Sequence, residues 1–325
     1  MFSPSDSTGT KELAAAMRHL ARLASAGLAA GLAVTACGGA TSPLQGKTPK
    51  QIITLASTSI TSTSYHLTMH GGVSYDASGI QGLPAGTLSQ ITGSMQNMTI
   101  DGSGDVQDST HARMAMTMKP LVDKSLQMVI DGDHVYMSED SGATWADLGS
   151  FNFNGLPVSP SDAASVLRDL SNVQDMGATA RNGSAVEHMH ATVPPDYLSK
   201  QLSKIGGTGQ LGQMMQQLST LITQAMTLKD GSVDAYVRSA DGRMDSMDTH
   251  VVIAIDMGKF MAALMQAFSS QAPSAMGTLP NVSGSLTIAE TVTEQFSNYG
   301  AKVTITKPNV DPNAPTLPGG GLFGA

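Results

Sequence analysis

The sequence has little charge, few aromatic residues and a single cysteine. Only 14% of its 325 residues are charged and 4% are aromatic, whereas 41% are hydrophobic and 34 residues are glycine. This composition is typical of a globular chain that can bury a core beneath a largely neutral, polar surface. The net charge is −8, and no basic stripe is present that would neutralise phosphates. We therefore expect no nucleic-acid partner.

The sequence also lacks long hydrophobic runs and paired cysteines. One cysteine excludes a disulfide framework and a cysteine-based zinc site. The apolar stretch 23–36 is shorter than the roughly 20 residues that span a bilayer. It follows Arg18 and Arg22, a pattern typical of an export signal. We therefore predict a signal peptide over residues 1–36. Such a signal does not need the residues before Met17, where translation is expected to begin.

The position of the cysteine predicts what happens to it after export. Val34, Thr35 and Ala36 stand immediately before Cys37. This resembles a bacterial lipobox, in which an aliphatic residue and two small residues precede a cysteine that receives a diacylglyceryl group. We predict cleavage between Ala36 and Cys37, with Cys37 as the lipid attachment site. Two acyl chains hold a protein stably at a membrane, whereas one binds only marginally. The alternative is a free buried cysteine behind an ordinary secretory signal.

The chain that remains after cleavage is acidic. Removal of residues 1–36 takes away three basic and two acidic residues and leaves a net charge of −9. Such a body would be held at the outer face of the cytoplasmic membrane by its lipid and not by anionic headgroups. Small residues dominate 37–47, which predicts a flexible tether. Residues 309–325 are rich in proline and glycine and predict a disordered tail.

Residues 48–308 contain alternating segments separated by turn residues. Asp131-Gly132, Asn182-Gly183 and Asp241-Gly242 each join two such segments, which predicts antiparallel hairpins. Thr48 and Pro49 predict the start of a helix. The predicted strands are 64–75, 93–106, 110–119, 124–131, 133–138, 173–181, 185–193, 232–239, 243–255, 284–297 and 302–307. The further predicted helices are 162–170, 195–205, 210–226 and 257–269.

These elements predict one α+β domain over residues 48–308. About ten or eleven strands follow one another in a meander, which favours an antiparallel sheet, and several helices interrupt it. No change of composition indicates a second domain.

Three sequence blocks carry a resemblance to a known group. They read DGDHVYMSEDSGATWADLG, DAYVRSADGRMDSMDTHV and FSNYGAKVTITKP. An exported lipobox protein with these blocks in this order resembles the actinobacterial LppX/LprA/LprF/LprG lipoproteins over residues 48–308. That family in turn resembles the LolA/LolB carriers. The resemblance implies a curved antiparallel half-barrel around helices, with an internal apolar cavity for acyl chains. It also implies lipid or glycolipid binding and transfer at the cell envelope, with an envelope transporter as partner.

Methionine is unusually abundant, and 19 of the 21 methionines follow Cys37. Because methionine is unbranched and polarisable, a surface lined with it can adapt to ligands of varied shape, such as acyl chains. The alternative is that methionine fills an ordinary core in place of the scarce phenylalanine. Strand alternation places two sets of three residues each on one face, and two residues of a later strand complete the candidate ligand contacts. The candidates are Met114, Met116, Met118, Leu126, Met128, Ile130, Val186 and His188.

Methionine near histidine also raises a copper-binding hypothesis, since thioethers and imidazoles suit that metal. His188, Met189 and His190 are adjacent, but on a strand the methionine faces away from both histidines. We therefore expect no metal and no cofactor. His66, Met69 and His70 form a second group of this kind.

No catalytic constellation stands out. The motifs G-x-S-x-G and H-E-x-x-H are absent, and no spacing of Ser, His and Asp singles out a triad. We therefore expect a binding protein and not an enzyme. The alternative is a structural or sensory envelope lipoprotein that carries no ligand.

Substitution of the single cysteine tests the predicted anchor. Cys37→Ala removes the thiol that would carry the acyl chains, so the protein should move from the membrane fraction to the medium or accumulate as unprocessed precursor. Membrane pelleting followed by immunoblotting measures this. Unchanged membrane retention would show that something other than a lipid on Cys37 holds the protein.

Overall fold

The described part of the chain forms one large β-sheet with two helices. The computed structural model describes residues 42–58, 63–82, 98–120, 122–150, 167–197, 199–200, 223–269 and 282–310. Predictions for the signal peptide, Cys37 and the tail beyond residue 310 lie outside these residues. The same holds for most of the helices predicted over 162–170, 195–205 and 210–226.

One helix precedes the first strand, and the other lies between the last two of the eleven strands. The helices are α1 (Pro49–Thr58) and α2 (Met257–Ser269). The strands are β1 (Tyr65–Asp76), β2 (Met98–Asp108), β3 (His111–Lys119), β4 (Val122–Asp131), β5 (His134–Ser138), β6 (Ala146–Ser150), β7 (Ser171–Arg181), β8 (Ser184–Thr192), β9 (Met226–Arg238), β10 (Met244–Asp256) and β11 (Ser285–Ser297).

The sheet is open and antiparallel throughout. Its strand order is β6-β5-β4-β3-β2-β1-β11-β10-β9-β8-β7, so β1 and β11 lie in the middle and β6 and β7 form the edges. Each strand other than β1 and β11 has only sequence neighbours beside it. The chain therefore makes two meanders, which are joined by the pairing of β1 with β11. The predicted fold class, an antiparallel sheet of about ten or eleven strands with helices, is confirmed.

Turn chemistry accounts for the predicted hairpins. Asn182 and Gly183 both adopt positive φ angles, 49° and 78°, between β7 and β8. Two consecutive residues in this conformation give a tight turn whose twist matches that of the adjacent strands. The three hairpins predicted from Asp-Gly and Asn-Gly dipeptides, β4–β5, β7–β8 and β9–β10, are all confirmed.

Helix α1 begins at a capping box, as the sequence predicts. The backbone N–H of Gln51 donates to the Thr48 hydroxyl at 3.3 Å, and the Gln51 side chain accepts from the Thr48 N–H at 2.8 Å. This reciprocal pair satisfies N–H groups that have no partner within the helix. Lys50 ties the helix to the start of β7, because its ammonium donates to the Leu170 carbonyl at 2.6 Å.

Alternation sorts the side chains of the sheet onto two faces. Along β11 the even-numbered residues, among them Leu286, Ile288, Val292 and Phe296, are buried, while the odd-numbered residues between them are more exposed. We call the face that carries these four residues the apolar face, and the opposite side the polar face. Directly paired residues of antiparallel strands point to the same side, so the pairing register assigns the remaining strands. The apolar face forms the main core together with the buried residues of α1 and α2.

The predicted strand over residues 302–307 is wrong. β11 is already hydrogen-bonded on both edges, to β1 and to β10, so no edge is left for a hairpin partner. The chain instead crosses the polar face without joining the sheet. The Ile305 N–H donates to the Gln107 side chain at 2.8 Å, and Ile305 and Val310 pack against a small cluster of Val129, Tyr136 and Trp145.

Described residues on both sides of the predicted domain, 48–308, contact the sheet. Residues 42–47 belong to the predicted tether, yet Leu44 is buried in the main core and the Ser42 hydroxyl donates to the Ser239 carbonyl at 2.6 Å. Pro43 and Leu44 lie against the β9–β10 turn at Gly242, which gives this apolar pair a place to dock. The packing of Val310 likewise extends the ordered chain beyond residue 308.

Two elements differ from the sequence prediction in their position. The short strand β6 was not predicted, because its five residues carry no alternation long enough to recognise. Met226 was predicted as the end of a helix but begins β9. Within the described ranges, neither helix is long and apolar enough to cross a membrane.

Helix α2 offers a matched test of the core. Phe260 is 1% exposed and belongs to the main core, whereas Met265 on the same helix is 45% exposed. Phe260→Ala should lower the free energy of unfolding by about 3–5 kcal/mol, because it leaves a cavity. Met265→Ala should change it by less than about 0.5 kcal/mol. Urea denaturation measures both, and an equal effect of the two substitutions would contradict the packing described for α2.

Candidate functional site

The apolar face of the sheet is unusually rich in methionine. These residues come from eight strands and lie on one side by register. They are Met69, Met98, Met114, Met116, Met118, Met128, Met137, Met189, Met226, Met244 and Met247.

Six of the predicted ligand-contact residues lie together on this face. Met114 pairs directly with Met128, and Met116 pairs with Leu126. Four of the six are buried in the main core, whereas Met116 and Leu126 are only partly buried and pack against its margin. The prediction that the two triplets share one face is confirmed. Their contact with a ligand stays a prediction. The four buried members are Met114, Met118, Met128 and Ile130.

Two glycines on β2 make room for methionine side chains of the apolar face. A Cβ atom at Gly102 would lie 2.8 Å from the terminal methyl of Met69, and one at Gly104 would lie 2.8 Å from Cγ of Met114. The methionine side chains therefore lie across the backbone of β2. A larger residue at either position would push them off the sheet.

Val186 and His188 lie on the polar face, so the eight candidate residues do not form one surface; contact of these two with a ligand stays a prediction. The register pairs His188 with Tyr236, while Met189 pairs with Ala235 and points to the apolar side. Val186 is buried but does not belong to the main core cluster. The His188 ring stacks on Tyr236 at 4.6 Å between centroids. The reason is strand alternation, which places even-numbered residues of β8 on the polar face.

The histidines pair with aspartates and not with methionines. His188 Nε2 and His190 Nδ1 both contact Asp234 Oδ1, at 2.8 and 2.9 Å. Burial raises the pKa of Asp234, but these two hydrogen bonds outweigh it and lower the pKa below its usual value. His66 and His70 likewise contact aspartates of β2. Among the described residues, no cluster of three or more His, Cys, Asp or Glu side chains could hold a metal ion.

Two glutamates of β11 interrupt the apolar face, and neither was predicted as a site residue. Glu290 is 3% exposed and Glu294 is 1% exposed. Glu290 lies between Val73 of β1 and Val251 of β10, while the strand neighbours of Glu294 are methionines. Among the described residues, one carboxyl oxygen of Glu290 and both of Glu294 have no hydrogen-bond partner.

Burial dominates the electrostatics of both glutamates. It raises the pKa of Glu290 and of Glu294 from 4.5 to about 8, so both carboxyls are mostly protonated at neutral pH. Two tyrosines of β1 face them: burial, and then the nearby Glu290, raise the pKa of Tyr75, and burial and Glu294 raise that of Tyr65. A buried polar group without a partner lowers the free energy of unfolding by about 1–3 kcal/mol, so these two acids destabilise the fold.

The sequence of β11 contains the signal that identifies these residues. In SLTIAETVTEQFS the apolar residues occupy even-numbered positions, and Glu290 and Glu294 fall on the same alternation. A charged residue in phase with the buried side of a strand is an exception to the pattern that defines the strand. Such exceptions concentrate at functional sites.

Comparison with known proteins returns solved structures only. A scan against models of protein families finds no match, and a search of curated proteins finds none. LprF from Mycobacterium bovis aligns with 83% of this chain and 99% of its own, at 14% identity and a TM-score of 0.38. Mycobacterium tuberculosis lipoprotein LppX aligns with 79% and 96%, at 12% identity and a TM-score of 0.34. A DUF1329 family protein from Desulfovibrio piger aligns with 82% and 96%, at 8% identity and a TM-score of 0.26.

Two of these three structures belong to the group that the sequence resembles. At these identities and scores the likeness does not carry a function over. The function of this chain is therefore inferred from its own residues.

The two buried glutamates predict an unusual dependence of stability on pH. Each keeps its proton in the folded state up to about pH 8, whereas the unfolded chain releases it near pH 4.5. Their contribution to stability is therefore full below about pH 4.5 and is lost as the pH rises to about 8. The loss amounts to about 1 kcal/mol per pH unit for each group.

Urea denaturation between pH 5 and pH 8 measures this effect. The Glu290→Gln/Glu294→Gln variant should lose less stability over this range than the wild type, because an amide does not ionise. Glu139→Gln, at an exposed position, is the control and should keep the wild-type slope. The difference between variant and wild type, and not the slope of either alone, is the relevant quantity. Parallel curves for wild type and double variant would contradict the burial of the two acids.

Proposed function

We propose that this chain is a lipid-anchored envelope protein that binds the acyl chains of a lipid or glycolipid on its apolar face and transfers that lipid. The observation that carries the proposal is the methionine-rich apolar face, on which the Met116–Leu126 pair is only partly buried. Partly exposed apolar side chains on a large apolar surface offer contact area to a further apolar group.

Methionine suits such a ligand for a physical reason. An acyl chain is flexible, has no fixed shape and gains about 0.8 kcal/mol for each CH₂ group that leaves water. Unbranched thioether side chains can repack around chains of different length and unsaturation with little strain. A face built from leucine and phenylalanine would be more rigid and would favour one shape.

The predicted anchor would place this face near its source of lipid. Acylation of Cys37 attaches the chain to the outer leaflet of the cytoplasmic membrane, and the first packed residues, Ser42 to Leu44, dock at the β9–β10 turn. The end of the sheet that carries this turn would therefore face the membrane. An envelope transporter that supplies or receives the lipid is the partner that such a carrier needs.

Two other functions are less well supported. Copper binding through His188, Met189 and His190 would require the three side chains to converge, but the methionine points to the opposite face from both histidines. A structural or sensory lipoprotein remains the principal alternative. It predicts that the apolar face is filled by the chain itself and takes up no lipid.

Native mass spectrometry tests the proposal. The full chain with Cys37→Ala is purified from its own host without detergent, and a co-purified lipid should appear as a mass increment that organic solvent removes. Met116→Gln should reduce lipid occupancy several-fold because it places an amide on the apolar face. Thr117→Gln, one residue away on the polar face, should leave occupancy unchanged.

The same spectra distinguish the alternatives. A wild-type protein that carries no lipid, and that takes none from vesicles of phosphatidylcholine, would overturn the carrier function. Equal occupancy in all variants would show that the lipid is held elsewhere.

A further inference from the structure

Glu290 and Glu294 occupy the middle of the sheet and point to the same side. They lie four residues apart on β11, so their backbones are about 13 Å apart along the strand. β11 is one of the two central strands of the eleven, and the hairpin meanders extend from it and from β1 on either side. Both carboxyls therefore lie at the centre of the proposed lipid-binding surface and not at its rim.

The fold makes no visible use of these two carboxyls. The other residues of β11 on the same face are leucine, isoleucine, valine and phenylalanine, which belong to the core. An apolar residue would fit the glutamate positions without leaving a polar atom unpaired. One carboxyl oxygen of Glu290 and both carboxyl oxygens of Glu294 are buried in these apolar surroundings without a hydrogen-bond partner among the described residues.

The surroundings determine what kind of group these acids can bind. On the apolar face, β1 and β10 present no charged side chain beside either glutamate: Met69 and Met247 flank Glu294, and Val73 and Val251 flank Glu290. The titratable groups that face them are Tyr75 for Glu290 and Tyr65 for Glu294. Burial keeps both acids mostly protonated at neutral pH, so each then has one O–H donor and a carbonyl acceptor.

We propose, on the basis of the lipid-binding function inferred above, that Glu290 and Glu294 hydrogen-bond uncharged oxygen groups of the bound lipid, namely ester carbonyls or hydroxyls. The acyl chains then lie along the methionines, while the two acids satisfy the polar atoms that a lipid brings into the apolar face. The site thereby favours oxygen-bearing lipids over plain hydrocarbons. The bound lipid in turn supplies the missing hydrogen-bond partners of the two acids.

Partition of labelled probes from vesicles tests this assignment. The full chain with Cys37→Ala is incubated with phosphatidylcholine vesicles that contain a trace of 1,2-dioleoylglycerol, of its ether-linked analogue 1,2-dioleylglycerol, or of octadecane. The ether analogue keeps the hydroxyl but lacks ester carbonyls, so it separates the two sources of oxygen. Octadecane has no oxygen and reports the apolar contacts alone.

Two kinds of variant separate the role of hydrogen bonding: leucine removes the hydrogen-bonding groups of each glutamate, and glutamine keeps a donor and an acceptor. Glu290→Leu and Glu294→Leu should each lower the affinity for dioleoylglycerol relative to octadecane about five- to tenfold. Glu290→Gln and Glu294→Gln keep a donor and an acceptor and should recover most of that ratio. Thr291→Val, between the two acids but exposed on the polar face, is the matched control and should leave the ratio unchanged.

The outcomes separate this proposal from the one on which it rests. If the wild type takes up lipid but the leucine variants keep the wild-type ratio, the assignment of the glutamates is overturned and the carrier function stands. If the wild type takes up none of the three probes, both are overturned. Selective loss of dioleoylglycerol supports ester carbonyls as the partners, and equal loss of the ether analogue supports the hydroxyl.

Discussion

The pairing of β1 with β11 holds the described structure together. These strands lie more than 200 residues apart in sequence, yet they pair over eleven residues in the middle of the sheet. Every other strand pair joins sequence neighbours, so each meander could form locally, but only this contact makes them one surface. It also brings the first and last strands of the sheet together, which closes a long loop and makes the contact costly in entropy.

The same register builds a surface with two different chemistries. On the apolar side, methionines from both meanders meet the two acids of the central strand. On the polar side, each of the seven histidines in the described residues has an aspartate within 4.0 Å. Arg181 adds a bidentate contact to Asp248 at 2.8 and 2.9 Å and lies over the Tyr236 ring. Many of the chain's aspartates are therefore held in local pairs on that face.

Local patterns predicted the fold well where a short signal was sufficient. Asn182-Gly183 located a hairpin to within two residues, and the sequence from Met257 to Ser269 gave both ends of α2. The prediction failed where the outcome depended on distant partners. Residues 302–307 alternate like a strand, but whether they can join a sheet depends on the edges of β11, which the sequence does not show. In the sequence Leu44 resembles part of a linker, because its contact at the β9–β10 turn is distant along the chain.

The candidate site was only half predictable for a similar reason. Alternation correctly grouped Met116 with its strand neighbours and Leu126 with its own, because residues two apart on a strand always share a face. It gave no basis for choosing between the two phases of β8, and the predicted pair Val186 and His188 lies on the opposite face from the other six candidates. Glu290 was within reach of the same reasoning, because it keeps the phase of its apolar neighbours. It was missed because catalytic and metal sites are recognised as clusters of polar residues, whereas Glu290 is a single polar residue in an apolar pattern.

The docking of Leu44 limits how far an acylated form of this protein could travel from its membrane. Four residues separate Cys37 from Ser42, and even a fully extended chain of these five Cα–Cα steps reaches at most about 18 Å. That is shorter than the width of the sheet, whose eleven strands span about 48 Å. The body would thus be confined to a thin layer above the bilayer, where it could tilt but not cross a wider gap. Delivery to a distant acceptor would require the acceptor, or a relay, to come to it.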